Sequence, residues 1–214
     1  KPLAIERLGD LNARLSSYDQ AISYYKQYLD NAYENPDMRI TMKLADAYLN
    51  QFSWNEAREW YKKIIANDPL VPTDAQVEKR LRMGLPIQKG PGFEALKKIA
   101  ESYLREALTY SMESREAKMK DALEAYSALA QRYPLGLDKS LPADSDSLRT
   151  IGLIQYELGK YADAVKSYDE FLKLEPNFPR KGQILYKIGQ AYMNLANYDM
   201  AIDRLSQITQ ESLD

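Results

Sequence analysis

Cysteine and histidine are both absent from the 214 residues of this chain. Without cysteine there is no disulfide, no thiolate nucleophile and no thiolate-held metal. Without histidine, the side chain that most often moves protons near neutral pH and binds transition metals is missing too. Asp, Glu, Lys, Ser or Tyr chemistry stays open, but the expectation is a protein that is not an enzyme, with no catalytic residue, no metal and no cofactor. The lack of cysteine suits an oxidising compartment such as a bacterial periplasm or cell envelope, and is equally compatible with a cytoplasm. A basic excess is also lacking: 29 Lys and Arg stand against 31 Asp and Glu, which argues against a nucleic-acid partner. Uncharged stretches are short and interrupted by polar residues, so no membrane-spanning helix is expected. The chain starts at Lys1 and shows no signal peptide, as expected of a trimmed or mature form.

What is present is apolar bulk, 45% of residues with 17 tyrosines among them, arranged periodically. Five segments align on a small residue: Ala21 in YDQAISYYKQYL, Ala57 in WNEAREWYKKII, Ala122 in MKDALEAYSALA, Ala164 in YADAVKSYDEFL and Ala201 in YDMAIDRLSQIT. Three residues before each lies Tyr18, Trp54, Met119, Tyr161 or Tyr198. Four after lies Tyr25, Tyr61, Tyr126, Tyr168 or Leu205, and seven after lies Tyr28, Ile64, Leu129, Phe171 or Ile208. These offsets fall on one face of an α-helix, with the alanine as a notch into which a neighbouring helix can settle. A first helix precedes each of these, marked by a large residue followed by a small one: Leu8-Gly9, Leu44-Ala45, Ile99-Ala100, Ile151-Gly152 and Ile188-Gly189. Prolines at 36, 69, 134 and 176 close the units, because proline has no N–H to continue a helix.

On these residues the chain resembles the tetratricopeptide repeat family over about four-fifths of its length. LADAYLNQFSWNEAREWYKKIIANDP and IGLIQYELGKYADAVKSYDEFLKLEP match its pattern best. The resemblance implies an all-α, right-handed superhelix of antiparallel helix pairs, a single α-solenoid domain of about five units: 2–36, 37–70, 93–134, 145–178 and 180–214. ALAQRYP and the tyrosine-rich pairs are also similar to repeats of bacterial envelope proteins, such as barrel-assembly lipoproteins and periplasmic adaptors.

Two segments depart from the pattern. Residues 69–92 hold four prolines and three glycines and read as a linker or insertion, 71–92, with one short helix near Asp74–Met83. Its GLPIQKGPG lacks the spacing of a phosphate loop. Farther on, Tyr103 precedes Ala122 by nineteen residues, where Tyr48 precedes Ala57 by nine. Ten extra residues are expected to lengthen both helices of the third unit by about five each, with the turn near residues 111–114; the alternative, one helix across residues 93–133, would destroy the helix pairing. Asp144 and Asp146 lie close together, but Leu148 and Arg149 follow where a calcium loop needs a further oxygen ligand and glycine. A helix N-cap at Ser145 or Asp146 is the expectation.

In the family the first helices line a concave face that holds a peptide or protein segment. The resemblance and helical spacing together place Arg39, Met42, Lys43, Asp46 and Asn50 on that face in the second unit. In the fourth unit they place Arg149, Leu153 and Tyr156 there, and in the fifth Tyr186, Lys187, Gln190 and Asn194. Some family members clamp a C-terminal carboxylate with Lys and Asn on these helices. The matching first-unit positions here are Glu6 and Asp10, which repel a carboxylate, so that ligand is not expected. The function implied is a scaffold binding a protein or peptide segment. The alternatives are a self-assembling repeat array and the recognition arm of a larger enzyme.

Overall fold

The structure, a computed structural model, describes residues 2–31, 37–85, 87–134 and 145–211. Pro36 and Asp144, singled out above, and Pro86, one of the four prolines of the insertion, lie outside the described residues. Among those residues every regular element is a helix: α1 Pro2–Arg14, α2 Tyr18–Asp30, α3 Met38–Asn50, α4 Trp54–Asn67, α5 Asp74–Met83, α6 Pro91–Thr109, α7 Met112–Arg132, α8 Ser145–Glu157, α9 Tyr161–Leu174, α10 Lys181–Asn194 and α11 Tyr198–Glu211. None is long and apolar enough to cross a membrane. The helices divide between two compact units, residues 1–79 with 87–125 and residues 80–86 with 126–214. The division falls inside α5 and inside α7.

Four helix pairs share one turn. Three residues separate α1 from α2, α3 from α4, α8 from α9 and α10 from α11. The middle residue of each turn is left-handed: Ser16 at φ 58, Phe52 at 63, Gly159 at 71 and Ala196 at 55. The N–H after it reaches back five residues, from Ser17 to Asn12, Ser53 to Tyr48, Lys160 to Gln155 and Asn197 to Tyr192, at 2.8–3.0 Å. This is the Schellman closure, which satisfies a carbonyl left open at the helix end. Glycine occupies the left-handed position only at 159. The other three turns hold a residue with a Cβ there, at some cost in strain.

The aligned alanines are notches, as their spacing predicts. Ala21, Ala57, Ala122 and Ala164 are fully buried and Ala201 is 3% exposed. The small residue of each first helix has an equally specific role. A Cβ on Gly9 would lie 2.5 Å from the Tyr25 ring, and one on Gly152 would lie 2.8 Å from the Tyr168 ring. The tyrosine four residues after the alanine therefore seats directly over the backbone of its own first helix. Burial of these rings supplies much of the hydrophobic stabilisation of each pair. In the first unit Ala21, Ile22 and Tyr25 pack on Ile40, Leu44 and Ala47 of α3, and Ala45, Ala57 and Tyr61 pack with Ala95 of α6. In the second, Ala164, Val165 and Tyr168 of α9 pack on Ile184, Ile188 and Ala191 of α10.

The insertion leaves this packing intact because its base is pinned. The Asp68 carboxylate accepts hydrogen bonds from the N–H of Gly92 at 2.7 Å and of Leu70 at 2.9 Å, drawing the two ends of the segment together. A Cβ on Gly92 would meet Val71 at 2.2 Å. The short helix expected at Asp74–Met83 forms there as α5, and α6 still packs on α3 and α4. The third pair is lengthened as its spacing predicts: α6 has 19 residues and α7 has 21, against 13 or 14 in the other pairs. Its turn is at Tyr110 and Ser111, at the early edge of the expected range. Lys118 on α7 returns to Glu106 on α6 at 3.0 Å. A continuous helix would separate those positions by about 18 Å, so the chain reverses between them.

The same glutamate closes a buried ion pair. Arg58 on α4 and Glu106 on α6 are 5% and 6% exposed, with Nη1 donating to Oε2 at 2.8 Å. The guanidinium also donates to Asn55 Oδ1 at 2.7 Å and lies 4.1 Å from the centroid of the Tyr103 ring. Burying a charge is costly unless it is paired and hydrogen-bonded, and here both conditions are met.

Candidate functional site

In the second unit α8 and α10 present their faces side by side. The Lys187 ammonium lies 4.6 Å from the centroid of the Tyr156 ring, and the Tyr156 phenol, pushed up by burial, is drawn back down by Asn194 beside it. Tyr161 packs edge-on against Tyr156 with centroids 5.3 Å apart. Three residues chosen from the sequence, Tyr156, Lys187 and Asn194, are thus one cluster. Arg149 donates to Asp146 at 2.6 Å and 2.9 Å, which also engages the carboxylate weighed above as part of a calcium loop. Tyr186 stands 52% exposed.

Beside this cluster is a cavity of about 490 Å³ lined mostly by apolar atoms. Arg149 and Leu153 of α8, Tyr168 of α9, Tyr186 and Lys187 of α10, and Ile208 of α11 contribute to its walls. Its size is that of pockets that accept a small ligand or a few side chains. Burial pushes the Tyr168 phenol above its ordinary pKa, with Arg149 acting in the opposite direction. The repeat pattern marks Tyr168 as a core wall and gives no sign that it also faces this cavity. Nor does the pattern flag Gly182 at the start of α10, which lines the same cavity; a Cβ there would make ordinary contact with Ile208, at 3.5 Å.

Gln190 has a different fate. Its Oε1 is buried and has no hydrogen-bond partner among the described residues. The reason lies in the repeat. One residue after the small step, the first two pairs carry Asp10 and Asp46, which accept from Tyr25 at 2.9 Å and Tyr61 at 2.6 Å. In the last pair the residue over Gly189 is Leu205, so the equivalent acceptor has no hydroxyl to meet.

In the first unit the chosen residues are held by internal partners. Arg39 pairs with Glu6 through both guanidinium nitrogens and reaches Asp37 at 3.3 Å. Lys43 donates to Glu6 at 2.8 Å and to Asp10 at 2.7 Å. Asp46 is raised above its ordinary pKa by burial, opposed by the Tyr61 hydroxyl. Met42 packs at the edge of the α3–α4–α6 core, and Asn50 is exposed. The α1–α3 face is therefore a closed ion network, with each acid of α1 matched by a base of α3.

The network sets a pH dependence. Hydrogen bonds from Arg39 and then Lys43 hold Glu6 at about 2, against an ordinary value of 4.5 and against the opposing effect of burial. A carboxylate lowered by folding adds stability that is complete above its unfolded pKa and is lost as pH falls towards the folded value. Urea melts of the wild-type chain should therefore weaken as pH drops from 4.5 towards 2. Glu6→Gln, less stable at pH 7, should lose less over the same interval. Parallel losses in the two proteins would remove Glu6 as the source.

These observations define a class first: an all-α protein built from repeated helix hairpins, each locked by a large residue seated over a small one. The particular family follows from comparison. Tetratricopeptide repeat models match residues 6–72, 145–178 and 183–212, together more than half of the chain, and the chain belongs to the tetratricopeptide repeat family. Among curated proteins none matches the chain. Solved structures with the same fold include a crystal structure of MamA protein, 18% identical, covering 98% of this chain and 90% of that one at a TM-score of 0.64. A second MamA crystal structure is 18% identical over 96% of this chain and 94% of that one, at 0.62. A MamA RS-1 double mutant is 13% identical over 100% and 96%, also at 0.62. At these identities the likeness is one of fold.

Proposed function

We propose that this chain is a protein-interaction scaffold that holds a segment of a partner protein against the first helices of its repeats, with α8 and α10 as the principal docking face. One observation carries the reading: Arg149, Tyr186 and Lys187, picked by their place in the repeat, line one apolar cavity of about 490 Å³. An apolar side chain of the partner enters this cavity, while Lys187 and Tyr186 engage its backbone or a carboxylate beside it. Aromatic and cationic residues around a desolvated pocket are the usual anchors of such contacts. The α1–α3 face, with its charges already neutralised, contributes shape more than charge.

The reading is tested with a displayed library of random peptides selected on the wild-type protein. Peptides so selected should lose at least about tenfold in affinity to Tyr186→Ala and to a Tyr156→Ala/Tyr186→Ala/Lys187→Ala variant, equivalent to about 1.4 kcal/mol. Lys62→Ala, exposed on α4, should bind as wild type. Equal affinity in all four proteins would rule out the α8–α10 face.

A further inference from the structure

Two junctions between repeats, α2–α3 and α9–α10, follow one rule. A first helix buries the positions five and one before its small residue, and two after it, on the second helix of the preceding hairpin. In α3 these are Ile40, Leu44 and Ala47, at most 3% exposed. In α10 they are Ile184, Ile188 and Ala191, at most 7% exposed. On the receiving helix the residue after the aligned alanine is covered: Ile22 is 8% exposed and Val165 is 6%.

Each half of this junction is bare at one place, the incoming half on α1 and the receiving half on α11. In α1 the three positions are Ala4, Leu8 and Leu11. All are exposed, Leu8 at 42% and Leu11 at 54%. In α11 the residue after Ala201 is Ile202, 64% exposed, with Tyr198 at 63% one turn earlier.

Charge distinguishes the two faces. The acids of α1, Glu6 and Asp10, are spent on Arg39 and Lys43, leaving Arg7 and Arg14 exposed beside the leucines. In α11 the one base, Arg204, is shared between Asp169 at 3.1 Å and Asp203 at 3.9 Å, so acids outnumber bases beside Ile202, where Asp199 and Asp203 are both exposed. Either face meeting itself would bring like charges near one another; the two different faces carry opposite charge.

We propose that the α11 face of one copy of this chain receives the α1 face of a second copy, head to tail. The contact re-forms between molecules the junction that α2–α3 and α9–α10 make within one. Such a heterologous contact leaves a free face at each end of a dimer and so supports further growth. It does not depend on the groove proposed above.

Sedimentation velocity over a wide concentration range tests it on the full chain, with Leu11→Glu and Ile202→Glu as variants. Wild type should grow beyond monomer as concentration rises, and each variant alone should remain monomeric. An equimolar mixture should form a one-to-one dimer and nothing larger, because one variant keeps the live α11 face and the other the live α1 face. A wild type that stays monomeric, a variant that assembles unaided, or a silent mixture would each overturn the proposal. Circular dichroism checks that both variants are folded. If either is not, Arg7→Glu/Arg14→Glu and Asp199→Arg/Asp203→Arg pose the same question. Each should assemble weakly alone and regain assembly when mixed, and a mixture that stays monomeric overturns the proposal as well.

Discussion

Glu106→Leu should be among the most damaging single substitutions in the chain, costing about 3–5 kcal/mol of unfolding free energy. Leucine has similar volume and suits a buried site, so the loss does not come from packing. It comes from Arg58, whose side chain is 6% exposed and which would keep a full charge with no carboxylate opposite. Asn55 and the Tyr103 ring remain to it, but neither carries a formal negative charge. Lys118, the other cation on Glu106, is 31% exposed and can turn to water. The companion variant separates charge from shape. Arg58→Met with Glu106→Leu removes both ions and should recover most of the stability, since a buried pair replaced whole by apolar residues is often neutral or better. Chemical denaturation of the single and double variants provides the check. A Glu106→Leu protein as stable as wild type, or a double variant no better than the single, would mean that the pair is not buried as described.

Tyr61→Ala should cost a similar amount, about 3–5 kcal/mol, the usual range for truncating a fully buried aromatic. Tyr61 has no exposed surface and sits in the cluster that joins α3, α4 and α6. The ring and the hydroxyl can be told apart with Tyr61→Phe, which keeps the ring and removes the donor to Asp46 at 2.6 Å. A hydrogen bond to a charged group is worth about 1.5–3 kcal/mol, so phenylalanine should account for less than the whole. Asp46 is already raised by burial, and the hydroxyl is the largest influence that lowers it, ahead of Lys98 and Arg105. Without that donor the carboxylate rises further, so the penalty of Tyr61→Phe is greatest where Asp46 is charged and shrinks as falling pH protonates it. A Phe variant whose deficit does not change with pH would show that the hydroxyl and Asp46 are not coupled in the folded protein.

The α8–α10 face was partly legible before folding. Tyr156, Lys187 and Asn194 fall at helical offsets from the small residues of their repeats, and they do come together. Arg39 and Lys43 fall at comparable offsets, yet α1 supplies Glu6 and Asp10 opposite them. Nothing in the local pattern tells a charge that faces solvent from one that faces its counterion 33 residues away. The cavity was illegible for a related reason. Its walls come from four helices, and a void is a property of how side chains meet, which no single helix carries.

The sequence alone determined the helices, their pairing and the places where they touch. Small residues recur at helical spacing beside large ones, and close packing admits few other arrangements: Ala21, Ala57, Ala122, Ala164 and Ala201 had to face inward for the tyrosines to be covered. Only the tertiary structure decided which charges pair, where Asp68 pins the insertion, and which apolar surfaces remain bare at α1 and α11. Ion pairs such as Arg58 with Glu106, 48 residues apart, are chosen by distance in space, and the chain has no periodicity that encodes that distance.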